Sequence, residues 1–262
     1  MSQAKNKLML ASFSVKDLYP PALAEGEGMG TAYEYYVKRR VLASFLAATN
    51  RPKTILIAGL PQKYGASLDF MLLATEWGAA VTVVDDRPQA LERLRVSLVG
   101  LEKMSGAPII RPPVVTLLAD VDTLASVSGR FDLALSSEVL QRLSAAGRTS
   151  YVARLRQLCG SLALFCPNAD NEAHNSRSGL GGLSLDEMSK LLTSDRTAVD
   201  YIDMPPFPPG ITRSVEQREE ATSGRFEAFV MWGLERYAHV ERFLPLNIRR
   251  RHAHIVYGLS RN

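Results

Sequence analysis

Two short apolar runs, joined by a glycine turn and a helical segment, constrain the fold of this chain more than any other feature. The first run, Ile55–Ala58, stops at Gly59, and an apolar helical pattern follows over 66–77. The second run, Val81–Val84, ends on the carboxylate of Asp85. Strand, glycine turn, helix, strand and terminal acid predict a βαβ unit, and this order is typical of a half-site for an adenine nucleotide or nucleoside.

The glycine motif of this unit is looser than a dinucleotide fingerprint. No G-x-G-x-x-G is present, and Asp85 lies further from Gly59 than the roughly 20 residues expected. A glycine turn still lets the backbone approach a ligand, and a carboxylate at the end of the second strand can accept both hydroxyls of a ribose. The alternative is that Asp85 caps the helix that begins at Pro88.

Apolar runs alternate with helical patterns along most of the chain. Beyond the first two strands we expect strands at Val114–Leu118, Phe131–Leu135, Ser161–Phe165, Val199–Ile202 and His254–Tyr257. Most of these runs are nearly continuous in Val, Leu, Ile and Ala, as expected when helices cover both faces of a sheet. The pattern predicts an α/β, Rossmann-like fold with a doubly wound, mostly parallel seven-stranded sheet and helices on both faces.

The length of 262 residues suits one large α/β domain with additions. Residues 1–30 are rich in glycine and contain Pro20 and Pro21, and we interpret them as an N-terminal arm. Residues 31–262 then form a single domain. Within it, 204–252 is longer than an ordinary connection between strands, so we expect a helical insertion before the last strand that forms a lid or a contact surface.

Composition and charge exclude several classes of protein. Hydrophobic residues make up 46% and charged residues 22%, which is typical of a globule with a real core. Cys159 and Cys166 are interpreted as reduced core thiols, and the four histidines have no zinc spacing, so no metal is expected. We see no secretion signal and no run of about 18 apolar residues, and expect a cytoplasmic chain without a membrane span. The net charge of +4 favours an anionic substrate weakly and gives no clear nucleic-acid signal.

With these elements in place, the residues resemble class I S-adenosylmethionine-dependent methyltransferases. The most specific part is Phe131–Leu143, FDLALSSEVLQRL, which is similar to the fourth strand and following turn of the small-molecule branch. Leu164–Asn168 is similar to the fifth strand and the start of its substrate-facing loop, and Gly182–Glu187 to the short helix that follows. The resemblance covers roughly 33–192 and implies S-adenosylmethionine as cofactor and a small-molecule acceptor.

The resemblance also implies roles for individual residues near the cofactor. Gly59 and Gly65 would belong to the glycine-rich turn beside the adenosyl and methionine parts, and Asp85 would hold the ribose diol. The remaining cofactor-facing positions are Asp120 and Val121 at the adenine and Ser136 near the transferable methyl group.

Two residues are candidates for accepting a proton from the methyl acceptor. The resemblance places Glu138 near the methyl group, although an acid there also suits the first turn of a helix. His174 lies on the polar segment 171–178, where it is either a base or merely solvated. Arg249–Arg251 is either a solvated face or a clamp for an anionic acceptor. Positioning does most of the work in methyl transfer, so a base is needed only if the acceptor carries a proton.

Three positions depart from the pattern of the family. Ile57 stands where an acid is usual, and Pro61 and Lys63 stand where the middle glycines fall. An apolar side chain cannot assist the ammonium group of the cofactor, and proline removes a backbone donor.

These departures leave two main hypotheses. The first is S-adenosylmethionine-dependent methyl transfer to a small metabolite, with an anionic one weakly favoured by the charge. The second is a catalytically silent methyltransferase-like module that binds a ligand or supports a partner. A nicotinamide-dependent oxidoreductase is a third hypothesis, and the missing fingerprint and the Ser136–Glu138 turn speak against it. A homo-oligomer formed through 204–252 stays open.

Overall fold

The structure is a computed structural model that describes residues 13–47, 49–62, 65–105, 124–192, 196–206 and 225–261. Several predictions fall outside these ranges. They are the strand at Val114–Leu118, the adenine contacts Asp120 and Val121, and the role of Lys63.

Six strands and nine α-helices are present in the described part of the chain. The strands are β1 Thr54–Ala58, β2 Ala80–Val84, β3 Phe131–Ser137, β4 Cys159–Pro167, β5 Thr197–Ile202 and β6 Ile255–Arg261. The helices are α1 Tyr19–Ala24, α2 Met29–Leu46, α3 Leu68–Trp77, α4 Pro88–Ser105, α5 Ala145–Leu158, α6 Glu172–Ser178, α7 Leu185–Leu191, α8 Arg225–Glu241 and α9 Leu246–His252, and a 3₁₀ turn covers Leu140–Arg142.

The strands form one mixed sheet in the order β2-β1-β3-β4-β6-β5. β1 pairs in parallel with β2 and β3, and β3 pairs in parallel with β4. The α/β architecture, with parallel pairing among β1, β2, β3 and β4, confirms the predicted fold class. The count of seven strands is not confirmed, because six are described and the third predicted one lies outside the described ranges.

β6 runs antiparallel to both of its neighbours, β4 and β5. Its first residue, Ile255, lies opposite Pro167 and Ile202, the last residues of those two strands. Only Ala253 and His254 separate β6 from the end of α9 at this edge, so the chain turns straight back into the sheet. A parallel strand would need a crossover of a dozen or more residues.

Both faces of the sheet are covered, and β1 shows this residue by residue. Ile55 and Ile57 belong to the core that contains α2, α3 and α4, whereas Leu56 and Ala58 belong to the core that contains α5. Successive side chains of a strand point to opposite faces. An apolar run without polar alternation is therefore what a doubly covered strand requires.

Part of the predicted N-terminal arm is an ordered helix that contacts α2 and α4. Leu18, Tyr19 and Ala22 are buried in the core beside these helices. Pro20 and Pro21 lie in the first turn of α1, where a backbone N–H has no intrahelical partner in any case. These two prolines, which contributed to the prediction of an N-terminal arm, therefore lie in the first turn of a helix.

Cys159 and Cys166 are free and buried, as the sequence predicts. Burial raises the pKa of the Cys159 thiol to about 12, so it stays protonated at neutral pH. Among the described helices none is long and apolar enough to cross a membrane. Within the same ranges no group of three His, Cys, Asp or Glu side chains is arranged to hold a metal ion.

Candidate functional site

The candidate site lies at the carboxyl ends of β1, β2 and β3. The helix after β1 packs on one face of the sheet and the helix after β3 on the other, so the chain reverses its winding between these strands. Ligands of open α/β sheets bind at such a switch point. The structure brings Gly59, Asp85 and Glu138 together here: Asp85 accepts a hydrogen bond from the residue after Gly59, and Glu138 accepts one from Gln62.

Gly59 has a positive φ of 78° and donates its N–H to the carbonyl oxygen of Val84 at 2.7 Å. A Cβ atom at this position would lie 2.5 Å from Cγ2 of Val139 and 3.2 Å from Nη2 of Arg142. The segment after β3 therefore already occupies the space that glycine leaves open. Gly59 is therefore required by a close contact within the protein.

Asp85 is fully buried, and both of its carboxylate oxygens are saturated. Oδ1 accepts hydrogen bonds from the backbone N–H and from Nε of Arg87, each at 2.8 Å. Oδ2 accepts them from the backbone N–H of Leu60 and from Nη2 of Arg87, each at 2.7 Å, with Nη2 of Arg142 at 3.4 Å. Burial alone would raise the pKa of Asp85, but these hydrogen bonds and both guanidinium charges outweigh it and hold the pKa below its usual value.

Arg87 also fastens the glycine turn to the end of β2. Its Nη2 donates to the carbonyl oxygen of Leu60 at 2.7 Å and to that of Pro61 at 3.3 Å. Its side chain is 25% exposed, so the guanidinium lies at the surface of the closed site and the carboxylate beneath it. Arg142 completes the arrangement by pairing with Asp86 at 3.1 Å.

Gly65, the second glycine of the turn, faces a carboxylate of the N-terminal segment. A Cβ atom there would lie 2.5 Å from Oε2 of Glu25. The other oxygen of Glu25 accepts the N–H of Leu68 at 2.7 Å, at the beginning of α3, and Tyr35 donates its hydroxyl to Oε2. Burial raises the pKa of Glu25 to about 7, against these hydrogen bonds that lower it. A side chain of the protein thus lies at the helix N-terminus that would otherwise favour a bound anion.

These contacts test whether the residues fit S-adenosylmethionine. A carboxylate offers about four lone-pair positions, and those of Asp85 are taken by Leu60 and Arg87. A ribose diol would find no free acceptor on Asp85, and Val139 and Glu25 lie where a Cβ atom of Gly59 or Gly65 would be. As arranged here, the residues do not fit this cofactor.

Ser136 points into the core. It is buried, and its Oγ lies 2.8 Å from the hydroxyl of Tyr151, which donates a hydrogen bond to the carbonyl oxygen of Ala58 at 2.6 Å. Glu138 has a left-handed φ of 55° and accepts the N–H of Gln62 at 3.2 Å. In the structure these two residues hold β3 against β1 and its turn; their implied roles towards a cofactor remain predictions.

His174 lies on α6, and its ring stacks on that of His254 with 4.3 Å between centroids. The structure therefore groups His174 with the ends of β5 and β6. His254 in turn contacts Asp203, with Nδ1 3.0 Å from Oδ2. This group was not identified from the sequence, because Asp203 and His254 are far apart along the chain and the antiparallel pairing of β5 with β6 brings them together.

A second group that the sequence did not reveal surrounds Lys38 on α2. Lys38 is buried, pairs with Glu34 and donates to Oγ of Ser137 at 3.0 Å. Its Nζ also lies 5.5 Å from the centre of the Phe165 ring. Burial lowers the pKa of Lys38, but Glu34 and Asp69 outweigh it and the pKa is raised. The four-residue spacing of Glu34 and Lys38 was the available signal.

The basic run Arg249–Arg251 is largely neutralised by the chain itself. Arg249 pairs with Asp200, and Arg250 pairs with Asp170 at 2.9 Å. The interpretation of this run as an anion clamp therefore receives no support from these two side chains.

Comparison with known proteins gives likenesses of fold. No known family model and no curated protein matches the sequence. A structure described as the methyltransferase domain of bacterial CtHen1 superposes with a TM-score of 0.48 and 14% identity, over 89% of this chain and 100% of that one. Magnesium protoporphyrin IX methyltransferase (ChlM) from Synechocystis PCC 6803 with bound SAH gives 0.42 and 14%, over 64% and 76%. A structure described as StiE O-MT residues 961–1257 gives 0.44 and 12%, over 86% and 74%.

The first two of these neighbours are methyltransferases, in keeping with the resemblance seen in the sequence. With TM-scores below 0.5 and identities of 12–14%, they carry no argument about the activity, cofactor or substrate of this chain. The fold assignment depends on the strand order and pairing described above.

The saturation of Asp85 makes a prediction about stability in acid. Because the pKa of Asp85 is lowered in the folded state, its contribution is present above the unfolded pKa of about 3.9 and is lost as the pH falls through the folded value. Replacing Arg87 by alanine should cost about 1–2 kcal/mol at pH 7, because Leu60 and Arg142 still donate. The variant should also lose less stability than the wild type between pH 5 and the acid limit.

Urea denaturation at a series of pH values measures both effects. Arg95→Ala is the matched control, because Arg95 lies on α4, is 63% exposed and pairs with the exposed Glu92 at 3.6 Å. An Arg87→Ala variant that behaves like Arg95→Ala at every pH would show that the pair with Asp85 does not form.

Proposed function

We propose that this chain is a methyltransferase-like module that is catalytically silent towards S-adenosylmethionine and binds a different ligand or supports a partner. The observation that carries the proposal is the saturation of Asp85 by Leu60, Arg87 and Arg142. A residue that must accept a ribose diol has no lone pair left for it. The buried carboxylate instead holds the ends of β1 and β2 together.

Two further contacts support the closed site. Val139 and Arg142 lie close to Gly59, and Glu25 lies close to Gly65, so a Cβ atom at either position would meet a side chain of the protein. Both glycines of the turn also have a positive φ, which favours glycine. The absence of an acid at Ile57 and of a backbone donor at Pro61 points the same way, since both changes remove groups that would serve a cofactor.

The second candidate is S-adenosylmethionine-dependent transfer of a methyl group to a small acceptor. The mild positive net charge of the chain favours an anionic acceptor. The placement of Gly59, Asp85 and Glu138 at one edge of the sheet favours it. This function requires the guanidinium of Arg87 to leave Asp85. The side chain is partly exposed, so the exchange would not require the core to open.

Calorimetric titration with S-adenosylmethionine and S-adenosylhomocysteine separates the two candidates, with NAD as a control ligand. We expect no saturable binding to the wild-type chain up to about millimolar ligand, because the ribose acceptor is taken. Micromolar binding that is lost in Asp85→Asn would contradict the first candidate and support the second. Binding that appears only in Arg87→Ala would show a complete site that the guanidinium keeps closed.

We also propose that the partner-binding surface lies within 204–252. Along α8 and the turn after it, an exposed stripe follows helical spacing and consists of Phe229, Trp232, Arg236, Val240 and Phe243. The rings of Phe229 and Trp232 stack with 5.8 Å between centroids, and Phe243 is 72% exposed. Exposed aromatic side chains in a contiguous row are typical of an interface. Self-association of the chain through this stripe is the form of the proposal that is simplest to test.

Light scattering coupled to gel filtration tests this surface. Trp232→Asp should shift a dimer towards monomer, because a buried aromatic anchor commonly contributes about 2 kcal/mol or more to an interface. Val96→Asp is the matched control, since Val96 is 62% exposed and belongs to a different helix, α4. A wild-type chain that is monomeric at all accessible concentrations would rule out the homo-oligomer.

A further inference from the structure

The strongest unassigned feature is a buried acid–histidine pair between the last two strands. Asp203 follows β5 and is 4% exposed, and His254 precedes β6. Nδ1 of His254 lies 3.0 Å from Oδ2 of Asp203, and the N–H of His254 donates to the carbonyl oxygen of Asp203 at 2.8 Å. Asp203 has a left-handed φ of 64°, which is uncommon for a residue with a side chain and is concentrated at functional sites.

The second oxygen of Asp203 is buried and has no hydrogen-bond partner among the residues that the structure describes. Buried carboxylate oxygens are almost always satisfied, because leaving one unpaired is unfavourable. Oδ2 of Asp203 is paired and Oδ1 is not. Oδ1 is therefore an acceptor available to a donor that is not among the described residues.

The surroundings of this pair are acidic, which limits what the donor can be. Glu34 on α2 and Glu241 on α8 both act on His254 together with Asp203. Burial raises the pKa of Glu34 to about 7, against the lowering effect of Lys38, and burial raises that of Glu241 to about 7 as well. These carboxyl groups are crowded, so a further negative charge is unfavourable and a positive one relieves the repulsion.

The remaining groups around the pair are already engaged with it or with each other. Tyr33 on α2 donates its hydroxyl to Glu241, whose carboxylate also accepts the N–H of Met204 at 3.3 Å. Lys38 pairs with Glu34, and the His174 ring on α6 stacks on His254. Acidic groups thus face Asp203 from α2 and α8, and the His254 ring, with His174 stacked on it, contacts Oδ2 of Asp203.

Two side chains of this group are partly exposed. The side chain of His254 is 22% exposed and that of Glu34 is 23% exposed, whereas Asp203 lies beneath them. The hydrogen bond to Asp203 favours the tautomer with the proton on Nδ1, which leaves Nε2 of His254 as an acceptor. The group therefore offers two acceptors, Oδ1 of Asp203 and Nε2 of His254.

We propose that Asp203, Glu34 and His254 form a binding site for the ammonium group of a small amine. Oδ1 of Asp203 accepts a hydrogen bond from the ammonium, the excess of Asp203, Glu34 and Glu241 over Lys38 balances its charge, and neutral His254 accepts at Nε2. This inference rests on the proposed function, because it names the class of ligand that the module binds. It involves no adenosyl cofactor. The ammonium ligand is cationic, so it also differs from the anionic acceptor that the net charge of the chain favours.

The charges give the proposal a pH dependence. Burial lowers the pKa of His254, but Asp203, Glu34 and Glu241 outweigh it and the pKa is raised above its ordinary value. An ammonium and a protonated His254 would repel each other in the same site. Amine binding should therefore tighten as the pH rises through the pKa of His254, and bound amine should lower that pKa in return.

Nitrogen NMR of the imidazole groups in the full chain tests the site, with ethylamine as the probe and acetate as the anionic control. The four histidines can be assigned with single His→Gln variants. We expect saturable shifts of His254 and His174 with ethylamine, none with acetate, and none at His239 on the exposed side of α8. Equal or absent responses to ethylamine and acetate at His254 would overturn the proposal.

Two variants test the contacts of Asp203 and Glu34 with the amine individually. Asp203→Asn should weaken ethylamine binding by about tenfold, as the loss of a charge-assisted hydrogen bond predicts, and should return the pKa of His254 towards its ordinary value. Glu34→Gln on the partly exposed face of α2 is the second variant in case Asp203→Asn does not fold, and it should weaken binding by about threefold or more. Unchanged binding in Glu34→Gln and in any folded Asp203→Asn would overturn the assignment.

The result of the ethylamine experiment can be distinguished from the result of the cofactor titration. Binding of S-adenosylhomocysteine to the wild type would refute the closed adenosyl site and leave the ethylamine result as measured. A lack of ethylamine binding would refute the amine site whether or not S-adenosylhomocysteine binds.

Discussion

The closed edge of the sheet depends on one set of contacts, the hydrogen bonds between Asp85 and Arg87. The carboxylate lies buried at the end of β2 and takes two donors from the Arg87 side chain and one from its backbone. The same guanidinium reaches the carbonyl oxygens of Leu60 and Pro61 in the turn after β1. A buried carboxylate without such donors would be strongly unfavourable, so the turn, the end of β2 and Arg87 stabilise one another.

These contacts divide the functional edge of the fold into two regions. Near β1 and β3 the donors of Leu60 and Arg87 take the acceptors of Asp85, and Val139 and Glu25 lie close to Gly59 and Gly65. Near β5 and β6 it leaves a buried oxygen of Asp203 unpaired beside His254. The fold is common to both regions, but the chemistry differs because the side chains at the strand ends differ.

Much of the fold could be predicted from the sequence, because continuous apolar runs such as Ile55–Ala58 have few alternatives to a doubly covered strand. The helix α1, which begins at Tyr19, was not predicted, because prolines such as Pro20 and Pro21 suit the first turn of a helix as well as a loop. The candidate site was harder. Asp85 was identified by its position after β2, yet its pairing with Arg87 depends on side-chain direction, and the pairing of Asp203 with His254 depends on β5 meeting β6.

Hydrogen exchange at Nε of Arg87, followed by NMR in the presence and absence of S-adenosylhomocysteine, tests the central claim most directly. If Arg87 occupies Asp85, its Nε–H should exchange at least about tenfold more slowly than that of the exposed Arg95, and the ligand should not change the rate. Exchange as fast as that of Arg95, or slow exchange that becomes fast when the ligand is added, would contradict a site closed by its own arginine.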